Sequence, residues 1–456
     1  MPFLEPPSHG AQPLSWARRL DLRVWWPERD TVTESKTETD DHAGPSPEPE
    51  EQYEPALLVA YPTPAVLPLP PSGAVVGRVW FEDRGVADSK ISREHVSFAR
   101  AGAATGITDA RARNGSWLDG IRLQPNVRAP LRDGSVIRLG RTLLVFRERY
   151  RGEAQPQAPI GELVAPLGLS ALRREMLALS KRPTQNVLIE GETGSGKELV
   201  ARAIAAQLRP GRPFAPVNVA GVASGVFESQ FFGYVAGAFS GSGRGSPGIV
   251  MRHHGGCVFL DEIGELPAEM QPKLLRLLDN RELLPVGADH ATTVDVLIIA
   301  ATNRPLDEMV EQGAFRRDLL ARFAAARLEI APLRERPEDV FAIAAALRDR
   351  AGMPLDPLQV EVEAVERLML HALPANVREL EAVLLRAGSL DPSGALRLSS
   401  VEKVVGPAPT SRPAPLVPER VRQVLDKCNG NRSRAARELG VSRGQLLRFL
   451  AANGMG

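Results

Sequence analysis

Three kinds of hydrophobic patterning follow one another along the chain. Between about 57 and 148, short β-like runs such as "ALLVA", "AVVGRVWF", "HVSFAR", "SVIRLG" and "TLLVFRE" are punctuated by glycine and Asx residues. Such runs, closed by turn residues, predict an all-β sandwich. From about 165 to 395 the apolar runs "NVLIE", "CVFLDE" and "VDVLIIAAT" are continuous. Continuous runs suit strands covered on both faces, as in a parallel sheet. Helical stretches such as "ELVARAIAAQL" separate them, which implies βα units and an α/β domain. Residues 416–456 predict an all-α ending. Val421, Val424, Leu425 and Cys428 form one apolar stripe at i, i+3, i+4 and i+7. "RSRAARELG" makes a second helix closed by Gly440, and Ser442 caps "RGQLLRFLA". Helix, four-residue turn, helix is the helix-turn-helix plan.

Composition adds boundaries. Residues 30–54 hold nine Asp/Glu against one Lys, a net of −8, so residues 1–54 read as an acidic, disordered tail. Residues 151–164 read as a linker, and so does the segment 396–415. Five prolines fall between 407 and 418. The formal net charge of +1 excludes a uniformly basic surface, although residues 416–456 carry a local net of +5, which favours DNA phosphate. Cys257 and Cys428 lie far apart and exclude a disulfide framework. No apolar run reaches the length of a membrane span and the first residues lack a signal pattern, so the chain reads as cytoplasmic, with no membrane partner.

The chemistry is concentrated at the ends of the continuous runs. Gly191-Glu192-Thr193-Gly194-Ser195-Gly196-Lys197-Glu198 follows a strand and opens a helix. Glycines there let backbone N–H groups approach phosphate at the positive end of the helix, and Lys197 reaches the β and γ phosphates of ATP. Glu198 stands where Ser or Thr usually helps to hold Mg²⁺. "GGCVFLDEIGELP" ends a strand in two acids: Asp261 to orient Mg²⁺ or its water, Glu262 to polarise the attacking water. Asn303, after the third strand, is placed to sense the γ-phosphate.

Residues 165–395 resemble the AAA+ domain of bacterial sigma-54-dependent transcription activators, a family that writes Glu after the phosphate-loop lysine. The resemblance implies ATP between subunits of a hexameric ring, and a homo-oligomer between dimer and hexamer. "FRRDLLARF" resembles the arginine-finger segment, nominating Arg316 and Arg322. "PLRERPEDV" resembles the lead-in to the helical lid (about 331–395). "LPANVRELE" resembles the second sensor, with Arg378 as phosphate contact. Asn218 matches the residue that holds the catalytic glutamate. "YVAGAFSGSGRGS" resembles the loop that pushes on sigma-54 of RNA polymerase, through Gly237, Ala238, Phe239, Ser240 and Gly241, with Phe239 set out in water. Ser240 and Ser242 replace the family's Thr and Ala.

The C-terminal segment resembles the Fis-type domain of the same family. This implies dimeric binding to two-fold symmetric double-stranded DNA, with Arg443, Gln445 and Arg448 outward on the second helix of the motif. Residues 55–150 resemble a forkhead-associated (FHA) domain, which implies phosphothreonine binding: Arg78, Ser92 and Arg93 on the phosphate, Asn114 on the peptide backbone, His95 as a brace. Thr37 and Thr39 in the acidic tail are candidate phosphosites that dock into this domain in cis or in trans, so the phosphothreonine partner is either another protein or the chain's own tail. The alternative reading is an ATP-binding DNA scaffold or repressor without productive sigma-54 contact; Asp261, Glu262 and the two arginines count against it.

Overall fold

A computed structural model describes residues 54–102, 104–181, 186–220, 224–239, 243–355, 359–391, 393–407, 418–428, 430–439, 446 and 449–450. The acidic tail with Thr37 and Thr39 lies outside the described residues, as do Ser240, Gly241, Arg443, Gln445 and Arg448. The chain divides into two compact units. One holds the N-terminal segment to Ala158 with 337–371 and 383–415; the other holds 159–336, 372–382 and 416–456. Among the described residues no helix is long and apolar enough to cross a membrane.

The first unit contains the predicted sandwich. Its strands are β1 (Glu54–Tyr61), β2 (Ala65–Pro68), β3 (Val75–Val76), β4 (Val96–Ala101), β5 (Ala104–Asp109), β6 (Ser116–Leu118), β7 (Ile121–Arg122), β8 (Arg128–Pro130), β9 (Val136–Leu139) and β10 (Thr142–Tyr150). They form two sheets, β2-β1-β10-β9-β6-β7 and β3-β4-β5-β8, around a shared core that includes Leu57, Val59, Phe98, Ile107, Leu118, Ile137 and Phe146. The run "AVVGRVWF" departs from the expected strand: β3 stops at Val76 and a short helix, Arg78–Glu82, follows. A Cβ on Gly77 would lie 1.9 Å from the Arg93 carbonyl oxygen. The 92–93 backbone therefore closes off the strand there, and Phe81 reaches the core from a helical turn instead.

The second unit carries β11 (Val187–Gly191), β12 (Phe214–Asn218), β13 (Gly233–Tyr234), β14 (Ser246–Pro247), β15 (Cys257–Asp261), β16 (Glu282–Leu283), β17 (Thr292–Thr293), β18 (Leu297–Thr302) and β19 (Arg327–Ile330). Five of them form a parallel sheet in the order β12-β15-β18-β11-β19. Side chains alternate between two cores. Leu188, Val258, Leu260, Ile298 and Ala300 join one, while Val187, Ile189, Cys257, Phe259, Leu297 and Ile299 join the other with helix Lys197–Leu208. Burial on both faces is why these runs are apolar throughout. The two edge strands, β12 and β19, are less covered, with Pro216 and Asn218 exposed in one and Glu329 in the other. Pro216 is tolerated in β12 because that strand has only one neighbour. Burial pushes the Cys257 thiol up to about 12, so it acts as a small core residue and not as a nucleophile.

The described part of the C-terminal segment has helices Pro418–Lys427 and Arg432–Leu439. Val421, Cys428, Ala435, Ala436, Leu439, Leu446 and Leu450 pack into one small core. The stripe read from the sequence faces that core.

Candidate functional site

In a parallel sheet the carboxyl ends of all strands point the same way. Gly191, Asp261 and Thr302 end β11, β15 and β18, so the glycine loop, the acid pair and Asn303 meet at one edge. Lys197, the first residue of its helix, is buried and donates through Nζ to the carbonyls of Gly191 (3.0 Å) and Glu192 (3.3 Å). Its Nζ is 3.8 Å from Glu262 Oε1. Glu262 takes a left-handed backbone, φ 57°, and its Oε2 accepts the Asn303 N–H at 3.3 Å. The Asn303 side-chain amide donates to Thr193 Oγ1 at 2.9 Å. Asp261 Oδ1 accepts the Glu262 N–H at 3.1 Å.

The loop's geometry suits a phosphate chain. Gly194 and Gly196 have φ of 74° and 104°, conformations that glycine adopts without strain. The Ser195 hydroxyl is buried with no hydrogen-bond partner in the structure, an arrangement that a phosphate oxygen would relieve. Glu198 points along the exposed helix face and pairs with Arg202 (2.7 Å), away from the loop.

Three residues beyond the sequence expectations complete the cradle. The Arg334 guanidinium forks onto the Glu192 carboxylate (2.5 and 2.6 Å). Those bonds hold the Glu192 carboxyl below the usual carboxylate range. Asn376 is fully buried, with φ 55°. Its Oδ1 accepts the Leu333 N–H (2.7 Å), and its amide donates to Glu192 Oε2 (3.2 Å) and the Thr193 carbonyl (3.1 Å). Arg336 donates to the Ser195 carbonyl at 3.2 Å. Arg334 and Asn376 sit inside "PLRERPEDV" and "LPANVRELE", but partners 142 and 184 positions away leave no local periodic signal.

Arg378 is exposed, and its Cβ lies 3.1 Å from where a Cβ on Gly194 would stand. Arg378 thus stands beside the phosphate loop. Asn218 is not brought onto Glu262: its Oδ1 accepts the Ala220 N–H at 2.8 Å. Register sets Asn218 opposite Asp261 across β12 and β15. Arg316 pairs with Asp318 (2.6 Å) and Arg322 with Asp279; both arginines are on the outside of the unit, half exposed.

The glycine-rich segment leaves the hairpin formed by β13 and β14. Phe239 is 48% exposed, as expected, and its ring lies 4.9 Å from that of Tyr234. Gly237 has φ 82° and open space on its Cβ side. The stem is fixed from below: Val235 and Val286 exchange backbone contact through Val235 N–H to the Val286 carbonyl (3.1 Å) and Val286 N–H to the Gly233 carbonyl (2.8 Å).

On the sandwich, two loops are tied around His95, which is fully buried. Its Nδ1 accepts the Ser92 N–H (2.9 Å), and its Nε2 lies 3.1 Å from the Gly115 carbonyl. Burial holds the imidazole pKa below its ordinary value. Ser92 Oγ accepts the Arg113 N–H (3.1 Å), and the Asn114 amide donates to the Lys90 carbonyl (2.6 Å). Arg93 is exposed. Arg78 donates to the carbonyls of Ile91 (3.0 Å) and Ser89 (2.8 Å), so its guanidinium frames the loop that Ser92 and Arg93 present.

Residues 169–329 match the sigma-54 interaction domain, residues 74–140 the FHA domain, and residues 419–450 the bacterial regulatory protein, Fis family. The chain is 37% identical over 300 residues to the regulatory protein LuxO of Vibrio cholerae, covering 59% of this chain and 57% of LuxO. It is 35% identical over 327 residues to the response regulator protein PilR of Pseudomonas aeruginosa, covering 66% of this chain and 72% of PilR. A crystal structure of NtrX from Brucella abortus superposes with a TM-score of 0.48 at 29% identity, covering 64% of this chain and 69% of that one. The chain spans about half the length of several curated relatives it matches. With its three matched regions in this order, the chain belongs to the sigma-54-dependent transcriptional activators, with an AAA+ domain at its centre and a Fis-type DNA-binding domain behind it.

Proposed function

We propose that the chain hydrolyses ATP in a ring, up to a hexamer, to remodel sigma-54 RNA polymerase at promoters. In this reading phosphothreonine on a partner protein is sensed through the FHA domain. The observation that carries the reading is the single cluster of Lys197, Glu262 and Asn303, with Glu262 3.8 Å from Lys197 and hydrogen-bonded to the Asn303 backbone.

Gly191 to Lys197 bind the phosphates through backbone N–H groups, and Lys197 neutralises the β/γ oxygens. Asp261 would hold Mg²⁺, which supplies charge neutralisation on those oxygens when bound. Glu262 orients and polarises the attacking water. Its carboxylate is already steered by the Asn303 N–H, so a γ-phosphate that engages the Asn303 side chain also moves the base. Arg316 and Arg322, exposed on the unit, suit supply in trans to a neighbouring subunit's γ-phosphate, and Arg378 contacts phosphate from the lid side. Asn218, in register with Asp261 across β12 and β15, suits a switch on the glutamate. Movement of the β13–β14 loop then carries Gly237, Ala238, Phe239, Ser240 and Gly241 against sigma-54. The C-terminal domain holds the ring on two-fold DNA through Arg443, Gln445 and Arg448.

Two substitutions separate the parts of this reading. Glu262→Gln should lower ATP turnover by roughly 10²–10⁴-fold while ATP still binds. Phe239→Ala should leave turnover within about two-fold and abolish open-complex formation at a sigma-54 promoter. Equal turnover in Glu262→Gln and wild type, or promoter opening by Phe239→Ala, would overturn it.

A further inference from the structure

Beside the phosphothreonine face of the sandwich lies a cleft of about 720 Å³, within the roughly 300–1,000 Å³ of ligand sites. One wall is the sandwich, with Lys90, Asn114 and Arg141. The other is the helical lid of the nucleotide-binding domain, with Gln359, Glu361 and Arg397. Both walls belong to the same compact unit. They are fastened by ion pairs: Arg138 to buried Glu366 (2.8 Å) and to half-exposed Glu363 (3.0 Å), and Arg147 to buried Glu338 (2.6 Å).

Asn114 belongs both to the peptide-holding face and to this cleft. A peptide whose backbone is held by Asn114, with its phosphate at Ser92 and Arg93, has its adjoining residues at the cleft mouth. Two carboxylates on the lid side, Glu361 and Glu363, also line the cleft. Glu361 Oε2 accepts the Leu398 N–H (2.8 Å), and Glu363 accepts from Arg138. Lys90 makes no ion pair with another described residue, and both Lys90 and Arg141 are exposed cations. Four cations of the lining, Lys90, Arg138, Arg141 and Arg397, face two carboxylates, Glu361 and Glu363, so the cleft carries a formal net charge of +2.

We propose that this cleft reads the residues flanking the phosphothreonine, that it takes an acidic flank, and that the lid supplies one of its walls. The proposal rests on the phosphothreonine reading above. A peptide that touches both walls binds according to how the lid is placed. Linkage then requires the lid's placement to respond to the peptide.

The test uses the full chain and fluorescein-labelled, alanine-based phosphothreonine peptides carrying three Asp before the phosphothreonine, three Asp after it, or Ala throughout, with unphosphorylated twins. One Asp-flanked peptide should bind about ten-fold tighter than the Ala peptide, the size expected from a few partly exposed ion pairs. Gln359→Glu, an exposed lid substitution, should remove most of that preference and leave the Ala peptide's affinity unchanged; basal ATP turnover checks that the variant folds. No preference in the wild type, or a preference that survives Gln359→Glu, overturns the inference and leaves phosphothreonine sensing intact. Equal binding of phosphorylated and plain peptides removes phosphothreonine sensing itself, and the inference with it.

Discussion

Glu192 lies in the phosphate loop, yet its carboxylate is committed to Arg334 and Asn376. The Arg334 bonds depress its pKa, so the stabilisation is complete above the unfolded-state carboxylate value, about 4.3. It is lost as pH falls through the lower folded value. The side chain is 42% exposed, and solvent screening keeps the effect to at most about 1 kcal/mol. Glu192→Gln should therefore melt below wild type at pH 7, and the gap should close between about pH 5 and 3, where protonation makes the two side chains alike. Melting curves across that range check it; a gap that stays constant would mean the ion pair contributes nothing. Asn376 works differently. It is neutral and fully buried, so its bonds to the Leu333 N–H and the Thr193 carbonyl persist at any pH, while its third, to the Glu192 carboxylate, weakens as Glu192 protonates.

Among the elements, the contact of the phosphate loop with the start of helix Asn376–Leu390 does the most with the least material. The Val377 N–H donates to the Gly194 carbonyl at 3.0 Å. A Cβ on Gly194 would stand 2.3 Å from the Ala375 carbonyl oxygen, at φ 74°. Gly194→Ala must therefore push the Ala375–Arg378 turn off the loop, besides a backbone cost of about 1 kcal/mol. Its ATP affinity should fall at least about ten-fold, equivalent to 1.4 kcal/mol, with the sheet intact by circular dichroism. Fluorescent-nucleotide titration decides; unchanged affinity would show that this contact does not shape the pocket. The β13–β14 hairpin shows the opposite economy. Its stem is held by backbone bonds to Val286, while its tip leaves an aromatic ring half in water.

In the molecule as a whole, the unit that contains the sandwich also contains much of the lid, through pairs that join residues about two hundred positions apart. Arg138 is 8% exposed and lies 3.7 Å over the Trp117 ring. Burial pushes the Glu366 carboxyl up, against the pull of Arg138, and burial does the same to Glu338 beside Arg147. Removing one partner strands the other. Arg138→Ala should destabilise this unit by about 3–5 kcal/mol, while Arg138→Met combined with Glu366→Leu should recover most of it. Urea midpoints measure both; a single substitution costing under about 1 kcal/mol would mean that the sandwich and the lid separate readily.

The phosphate loop, the acid pair, the HTH stripe and the sandwich strands were legible because each is a local pattern. Glycine spacing, period-two or continuous apolar runs, and a 3.6-residue stripe act over a few neighbours, and the backbone obeys them before any distant contact forms. The exception among strands, "AVVGRVWF", failed where a distant loop pressed on Gly77. Long-range packing decided the rest: that Glu262 is steered by Asn303 while Asn218 turns to Ala220, that Arg334 and Asn376 brace Glu192, and that Arg138 and Arg147 find acids on the lid. An ion pair's partner is set by where two chain segments come to lie in a low-dielectric interior. Sequence separation carries no trace of that, so the chain's order named the chemistry and tertiary packing chose which charges meet.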